Sequence, residues 1–226
     1  MCECHNNGMV NQSKTFRRKA YTTKRRSDSI RAMAMRAIRI LCIVVLVAGA
    51  ALTAQAGYRR AKAELARVLI ERAWTDSVRT GESKKPWSWA DLHPVARLSI
   101  PRLTLNEYVL NNASPRVLAF GPGVVANGAT PGRDGNLVIA GHRTSWFLPL
   151  ERIEGDDRIE LEWIDARSGK LRQREYKVER IAVVEPSDVA LLEASEFDAL
   201  TLVTCYPFGH GLRSPKRFIV RASPVN

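Results

Sequence analysis

Short apolar stretches separated by turn residues follow one another from Val95 to the end of the chain. Most alternate apolar or β-branched residues with polar ones over about four to eight positions, which is the pattern of a half-buried β-strand. The predicted strands are VARLSI, LTLNEYVL, NLVIA at 136–140, RIELEW at 158–163, the stretch 174–185, TLVT and RFIVRA. With one or two short helices, at 146–150 and 189–192, these strands predict an all-β barrel or sandwich.

The longest uncharged stretch runs from Ile40 to Tyr58, with arginines on both sides. As a helix it reaches roughly 28 Å, close to the ~30 Å hydrocarbon core of a bilayer. A cleaved signal peptide is the alternative, because Ala54-Gln55-Ala56 resembles a cleavage site. The apolar region of a signal peptide is usually only about 7–15 residues long, so we expect an uncleaved transmembrane helix over 40–58.

Basic residues are concentrated before this span: ten of the 35 Lys and Arg fall in residues 1–39, against two acidic residues. This composition predicts a disordered tail, and the charge bias predicts that the tail is cytoplasmic and residues 59–226 lie outside. The rest of the chain carries only about +4 of the total charge of +12. A nucleic-acid-binding function is therefore not indicated for the folded part.

Residues 59–94 connect the span to the strands and combine a helix with a linker. Four apolar residues recur at helical spacing between charged ones and predict an amphipathic helix over 61–79: Leu65, Val68, Leu69 and Ala73. The segment 81–94 is rich in helix-breaking residues and carries Trp87 and Trp89. These tryptophans either pack on the folded domain or lie at the membrane interface.

Cys205 is the only cysteine beyond the span, because Cys2 and Cys4 fall in the tail and Cys42 in the span. A thiol without a disulfide partner in its own exported domain is either a reactive group or a buried core residue. A predicted strand ends at Cys205 and a loop rich in proline and glycine follows. Its position at the mouth of a loop favours a nucleophile.

Cysteine-dependent acyl transfer also needs a histidine that exchanges a proton and a donor that stabilises the oxyanion. Three histidines lie beyond the span: His93, His142 and His210. His142 follows the predicted strand 136–140, a strand-end position like that of Cys205, and strand ends hold side chains more rigidly than loops do. Arg217 opens the last predicted strand, and a hairpin with the strand of Cys205 would bring its guanidinium near the sulfur.

Three motifs resemble those of the sortases, the membrane-anchored cysteine transpeptidases: GNLVIAGHR at 135–143, TLVTC at 201–205 and KRFIV at 216–220. The segment before the first strand and LAFGPG at 118–123 resemble the class GN sortases of Gram-negative bacteria. The resemblance implies a closed barrel of seven to eight strands over residues 95–226. It also implies that Cys205 is the nucleophile, His142 its proton-transfer partner and Arg217 the stabiliser of the oxyanion or the substrate backbone.

The resemblance further implies two acyl transfers. Cys205 would attack the Thr carbonyl of an LPxTG-like sorting signal in a secreted protein, and an amine acceptor or water would resolve the thioacyl enzyme. The catalytic domain would lie on the periplasmic side of the inner membrane. No cofactor is expected, and no metal ligands are assigned: acidic residues at 151–157 are typical of a solvated loop, and the tail's Cys-Glu-Cys-His supplies too few ligands. The sequence leaves metal dependence undecided.

Two other interpretations are open at this point. The L,D-transpeptidases are also exported, β-rich and cysteine-dependent, but their cysteine lies in a glycine-rich S-x-G-C context that residues 203–206 do not match. The second is a membrane-anchored β-module without enzyme activity, in which Cys205 is buried in the core.

Overall fold

The computed structural model describes residues 9–126, 128–188, 197–209 and 213–225. Contacts divide the chain into two units, Met1–Ala61 and Lys62–Asn226. One helix, α1 (Met9–Thr80), begins in the first unit and ends in the second. It runs through 9–39, 40–58 and 61–79, where the sequence predicts a disordered tail and two separate helices. No proline interrupts this stretch, so no residue removes a backbone donor from the helix.

The first unit contains the apolar part of α1. The stretch from Ile38 onward is the one helix, among the described residues, that is long and apolar enough to cross a membrane, and its most apolar 18 residues have a mean hydropathy of 2.2. Its large apolar side chains, such as those of Ile40, Leu41 and Leu46, are exposed. Exposed apolar side chains in a continuous run are what a lipid-embedded helix presents.

The second unit is a closed barrel of eight strands in the order β1-β2-β3-β4-β7-β8-β6-β5. The strands are β1 (Pro94–Ile100), β2 (Leu105–Leu110), β3 (Gly123–Val124), β4 (Asn136–Ala140), β5 (Arg158–Ile164), β6 (Leu171–Val184), β7 (Ala199–Tyr206) and β8 (Lys216–Pro224). A short helix, α2 (Pro115–Leu118), and 3-10 turns at Pro101–Leu103 and Leu148–Arg152 connect them. The barrel confirms the predicted all-β fold.

One strand, β3, is not apparent in the sequence, and one predicted helix is displaced. β3 has only two residues and pairs in parallel with β2 through Gly123, where a Cβ would lie 2.1 Å from a backbone oxygen of Asn112. Such a strand exists only because its neighbours supply partners. The helix predicted at 146–150 is a 3-10 turn at Leu148–Arg152, and the one predicted at 189–192 lies outside the described residues.

Alternate residues of the strands point into the barrel, as the period of two requires. The fully buried interior side chains include Leu98, Ile100, Ile139, Leu161, Leu202 and Val220. Phe147, from the loop after β4, is completely buried in the same cluster. A Cβ on Gly141 would lie 2.7 Å from the Phe147 ring, so the absence of a side chain at Gly141 leaves space for this ring.

The end of α1 packs on the outside of the barrel through a second apolar cluster. Its buried members are Ile70, Ala90, Leu92, Leu110 and Val117. Trp87 packs against this cluster, with its ring 5.7 Å from that of Phe120. Trp89 lies beside Trp87 but is 81% exposed. The two tryptophans therefore behave differently: Trp87 packs on the domain, and Trp89 faces outward.

Candidate active site

Cys205 and Arg217 are direct partners across the antiparallel pair β7–β8. Directly opposed residues in such a pair point to the same face of the sheet. Arg221, the next arginine along β8, is opposite Thr201 and thus four residues away from the pair. The register of the β7–β8 pair therefore puts Cys205 opposite Arg217 and not opposite Arg221.

The parallel pairing of β4 with β7 brings His142 level with Cys205. Ala140 is the last paired residue of β4 and is opposite Val203. The alignment continues beyond it, because the Gly141 amide donates to the Val203 carbonyl (3.1 Å) and the Thr204 hydroxyl donates to the Gly141 carbonyl (2.7 Å). One residue further, His142 is level with Cys205 on the neighbouring strand, and neighbouring strands lie about 4.8 Å apart.

His142, Cys205 and Arg217 lie on the outer face of the barrel. Ile139 and Leu202 point into the core, so Val138 and Val203 point outward, where they pack with Ile219 in a separate apolar cluster. His142, Cys205 and Arg217 each continue the outward series of their own strand. Because β7 is the middle strand, Cys205 is the centre of a row of three residues, which we call the Cys205 row.

His142 is attached to the core through its backbone. Its carbonyl accepts hydrogen bonds from the amides of Ser145 (3.3 Å) and Phe147 (3.0 Å). The Phe147 ring is fully buried in the barrel. The side chain of His142 is exposed, and Cys205 is half-buried. A rigid backbone thus presents the imidazole at the protein surface.

Arg143 is a residue of the site that the sequence did not single out. Its side chain is only 8% exposed, and Nη1 donates to the Pro207 carbonyl (2.6 Å) and to the Ser214 hydroxyl (2.5 Å). The Ser214 hydroxyl in turn donates to the Tyr206 carbonyl (3.2 Å). A buried arginine therefore ties the segment after β4 to both ends of the β7–β8 loop. No single-sequence signal distinguishes it from the surface arginines, because its burial depends on contacts between distant segments.

Arg217 is connected to this same network. Its Nη1 donates to the carbonyls of Ser214 (3.3 Å) and Lys216 (3.1 Å). Ser214 thus accepts hydrogen bonds from both arginines, through its hydroxyl from Arg143 and through its carbonyl from Arg217. The guanidinium of Arg217 is half-buried at the edge of the row.

The other histidines do not join the described part of the site. His93 precedes β1, which pairs with β2 and β5 only, and its backbone exchanges hydrogen bonds with Asn111. Burial, and to a smaller degree the charge of Lys85, lower the pKa of His93. His210 lies outside the described residues. Among the side chains that the structure describes, no three His, Cys, Asp or Glu are grouped so that they could hold a metal ion.

A family model of the sortase domain matches residues 98–225, more than half of the chain. The chain belongs to the sortase family. It is 25% identical to Sortase D of Bacillus subtilis (strain 168) over 129 residues, which cover 57% of this chain and 62% of that protein. The chain thus matches less than two thirds of the length of this curated relative.

Solved structures of the family have the same barrel. Sortase A from Corynebacterium diphtheriae superposes with a TM-score of 0.54 at 26% identity, covering 68% of each chain. The Clostridium perfringens Sortase D5 transpeptidase superposes with a TM-score of 0.57, covering 72% of this chain and 99% of that one. At 22% identity, this second likeness concerns the fold alone.

The contacts of Arg143 generate a prediction for the loop after Cys205. Arg143→Lys replaces a planar fork by a single ammonium, which cannot reproduce the geometry of the bonds to Pro207 and Ser214. We expect amide hydrogen exchange in 205–209 and 213–217 to become about tenfold faster, since a hydrogen bond to a charged group contributes about 1.5–3 kcal/mol.

Arg213→Lys is the matched control, because Arg213 is exposed in the same loop. It should leave the exchange rates unchanged. Unchanged exchange in Arg143→Lys as well would show that the loop does not depend on this anchor.

Proposed function

We propose that this chain is a cysteine transpeptidase that cleaves an LPxTG-like sorting signal of a secreted protein through a thioacyl enzyme. The observation that supports the proposal best is the Cys205 row, in which a thiol lies between an imidazole and a guanidinium on three neighbouring strands. These are the groups that thiol-dependent acyl transfer needs: a nucleophile, a proton carrier and an oxyanion donor.

In the proposed reaction, the Cys205 thiol gives its proton to His142, and the sulfur attacks the Thr carbonyl carbon of the signal to form a tetrahedral oxyanion. Collapse of this intermediate breaks the Thr–Gly amide bond, and His142 gives its proton to the departing amine. An amine acceptor, or water, then attacks the thioester and transfers its proton to His142. The C–S bond breaks, and the leaving sulfur takes this proton from His142, which restores the thiol. No cofactor takes part in this scheme.

Arg217 is the proposed donor to the oxyanion or to the substrate backbone. Its position opposite Cys205 puts the guanidinium within reach of a carbonyl held at the sulfur. Its Nη1 donates to two carbonyls of its own loop, and these bonds can be exchanged for one to a substrate oxygen. Arg221 is four residues along the strand, roughly 13 Å away, and cannot take this role.

The non-enzymatic alternative requires Cys205 to be buried. The thiol is instead half-buried, on the outer face of the barrel and at a strand end. A packing role would be better filled by an inward-facing position such as Leu202, which is completely buried. The exposure of Cys205 therefore favours the enzyme.

The apolar part of α1 is the proposed membrane anchor, with residues 1–39 in the cytoplasm and the barrel in the periplasm. The support is the uncharged stretch 40–58 with exposed apolar side chains, together with the excess of basic residues before it. We place the protein in the inner membrane and in class GN, on the segments that resemble that class.

The first test concerns Cys205 and His142. Cys205→Ala should abolish formation of a thioacyl adduct with an LPxTG-like peptide, measured by mass spectrometry. His142→Ala should slow peptide cleavage by about 10²–10⁴, the usual contribution of a positioned acid–base group. His93→Ala is the control and should retain activity, because His93 precedes β1, a strand that pairs with none of the strands of the row. Equal losses for the two histidine variants would contradict the assignment.

A second test separates Arg217 from a general effect of positive charge. Arg217→Lys keeps the charge but loses the fork, so single-turnover acylation should fall by about 10²–10³, as for other lost oxyanion donors. Arg221→Lys, on the same strand and face, should be close to the unmodified protein. If both variants lost activity equally, Arg217 would not be a specific donor.

The orientation is tested with a reporter fused after Asn226. Alkaline phosphatase, which is active only outside the cytoplasm, should be active in this fusion, because the positive charges precede the span. A fluorescent protein that folds only in the cytoplasm is the complementary control. Cytoplasmic activity of the fusion would reverse the proposed topology.

A further inference from the structure

A cavity of about 490 Å³ lies on the second unit, apart from the Cys205 row. Its volume is within the range of about 300–1,000 Å³ typical of small-molecule sites. The described lining residues come from the start of this unit's helical part, the segment before β1 and the region of α2, and none belongs to β4, β7 or β8. The cavity is therefore not part of the proposed catalytic centre.

The walls of the cavity are apolar, and part of them faces outward. Leucine and aromatic side chains form them: Leu65, Leu69, Trp87, Trp89 and Phe120. Leu65 is 59% exposed and Trp89 81% exposed. Exposure of such large apolar side chains to water is unfavourable. Tryptophan is also enriched where a protein meets the headgroup region of a membrane.

Chain connectivity places the cavity close to the proposed anchor, whatever the arrangement of the two units. Lys62, which lines the cavity, follows Tyr58 by four residues, and even an extended chain of that length spans no more than roughly 14 Å. Leu65 follows by seven residues, or at most roughly 25 Å. If residues 40–58 cross a bilayer, the wall formed by α1 lies within reach of its surface.

The charges at the cavity suit a phosphate. Lys62 and Arg116 are among the lining residues, and Asp91 is the anion among them. Arg116 and Asp91 are 3.5 Å apart, and both side chains are largely exposed. Such an exposed pair contributes little, so Arg116 can exchange its partner for a lipid phosphate at small cost. The lining therefore combines apolar walls with an excess of positive charge.

We propose that this cavity binds a phospholipid of the bilayer, with an acyl chain against Leu65, Leu69 and the two tryptophans and the phosphate near Lys62 and Arg116. The proposal rests on the proposed membrane anchor but not on the proposed chemistry. The bound lipid would attach the barrel to the membrane surface at a second point, beyond the span itself.

The test uses the full chain in vesicles of phosphatidylcholine and phosphatidylglycerol that contain a phospholipid with a photoreactive diazirine on one acyl chain. After illumination, adducts are mapped by mass spectrometry of peptides. In the unmodified protein we expect adducts in 62–69 and 87–92, in addition to those in 40–58. Native mass spectrometry of the detergent-purified protein should show a phospholipid mass.

Two matched variants decide whether the cavity is responsible. Leu65→Asp places a charge on the cavity wall, whereas Val68→Asp changes a residue of the same helix that is 51% exposed and is not part of the lining. Leu65→Asp should reduce adducts in 62–69 and 87–92 by about tenfold, and Val68→Asp by less than about twofold. Both positions are exposed, and thermal unfolding checks that both variants fold.

Each outcome has a defined meaning. Adducts confined to 40–58, equal losses in the two variants, or a peptide rather than a phospholipid as the bound mass would overturn the lipid site. Absence of adducts in 40–58 would refute the anchor and this proposal with it. Peptide cleavage measured on the same preparations reports separately on the proposed chemistry, which both variants should preserve.

Discussion

The register of β7 against its two neighbours is the constraint on which the candidate site depends. The parallel pairing with β4 and the antiparallel pairing with β8 set which residues stand level with Cys205. A shift of one residue in either pair would turn a partner's side chain into the barrel. Buried leucine and isoleucine side chains on the inner faces oppose such a shift, so the core of the barrel determines the geometry of its outer face.

Beyond the end of β4, polar contacts rather than strand pairing hold the backbone of the Cys205 row in place. β4 stops at Ala140, and beyond it the Thr204 hydroxyl and the carbonyl of His142 continue the connection to β7 and to the core. Arg143 then joins the same segment to the β7–β8 loop, where Ser214 also accepts from Arg217. One hydrogen-bond network therefore links the residue after His142, the two ends of the β7–β8 loop and the Arg217 guanidinium.

The helical part of the second unit relates the barrel to the proposed anchor. Ala66, Ile70 and Ala73 share one face of this helix and are buried, while Leu65 and Val68, on the same turns as the first two, are exposed. The helix therefore has a buried apolar face and, beside it, exposed apolar side chains. The proposed bilayer would give these exposed side chains an apolar environment, which water does not.

The sequence alone determined the strands, the uncharged span and the order of the cysteine, histidine and arginine motifs, because these follow from local periodicity and from residue type. It also placed Arg217 rather than Arg221 near Cys205, since a hairpin and a period of two suffice for that. Only the tertiary structure showed the two-residue strand β3 and the buried position of Arg143. These depend on partners far away in the chain, and a residue's local pattern carries no record of which distant carbonyl or side chain it will meet.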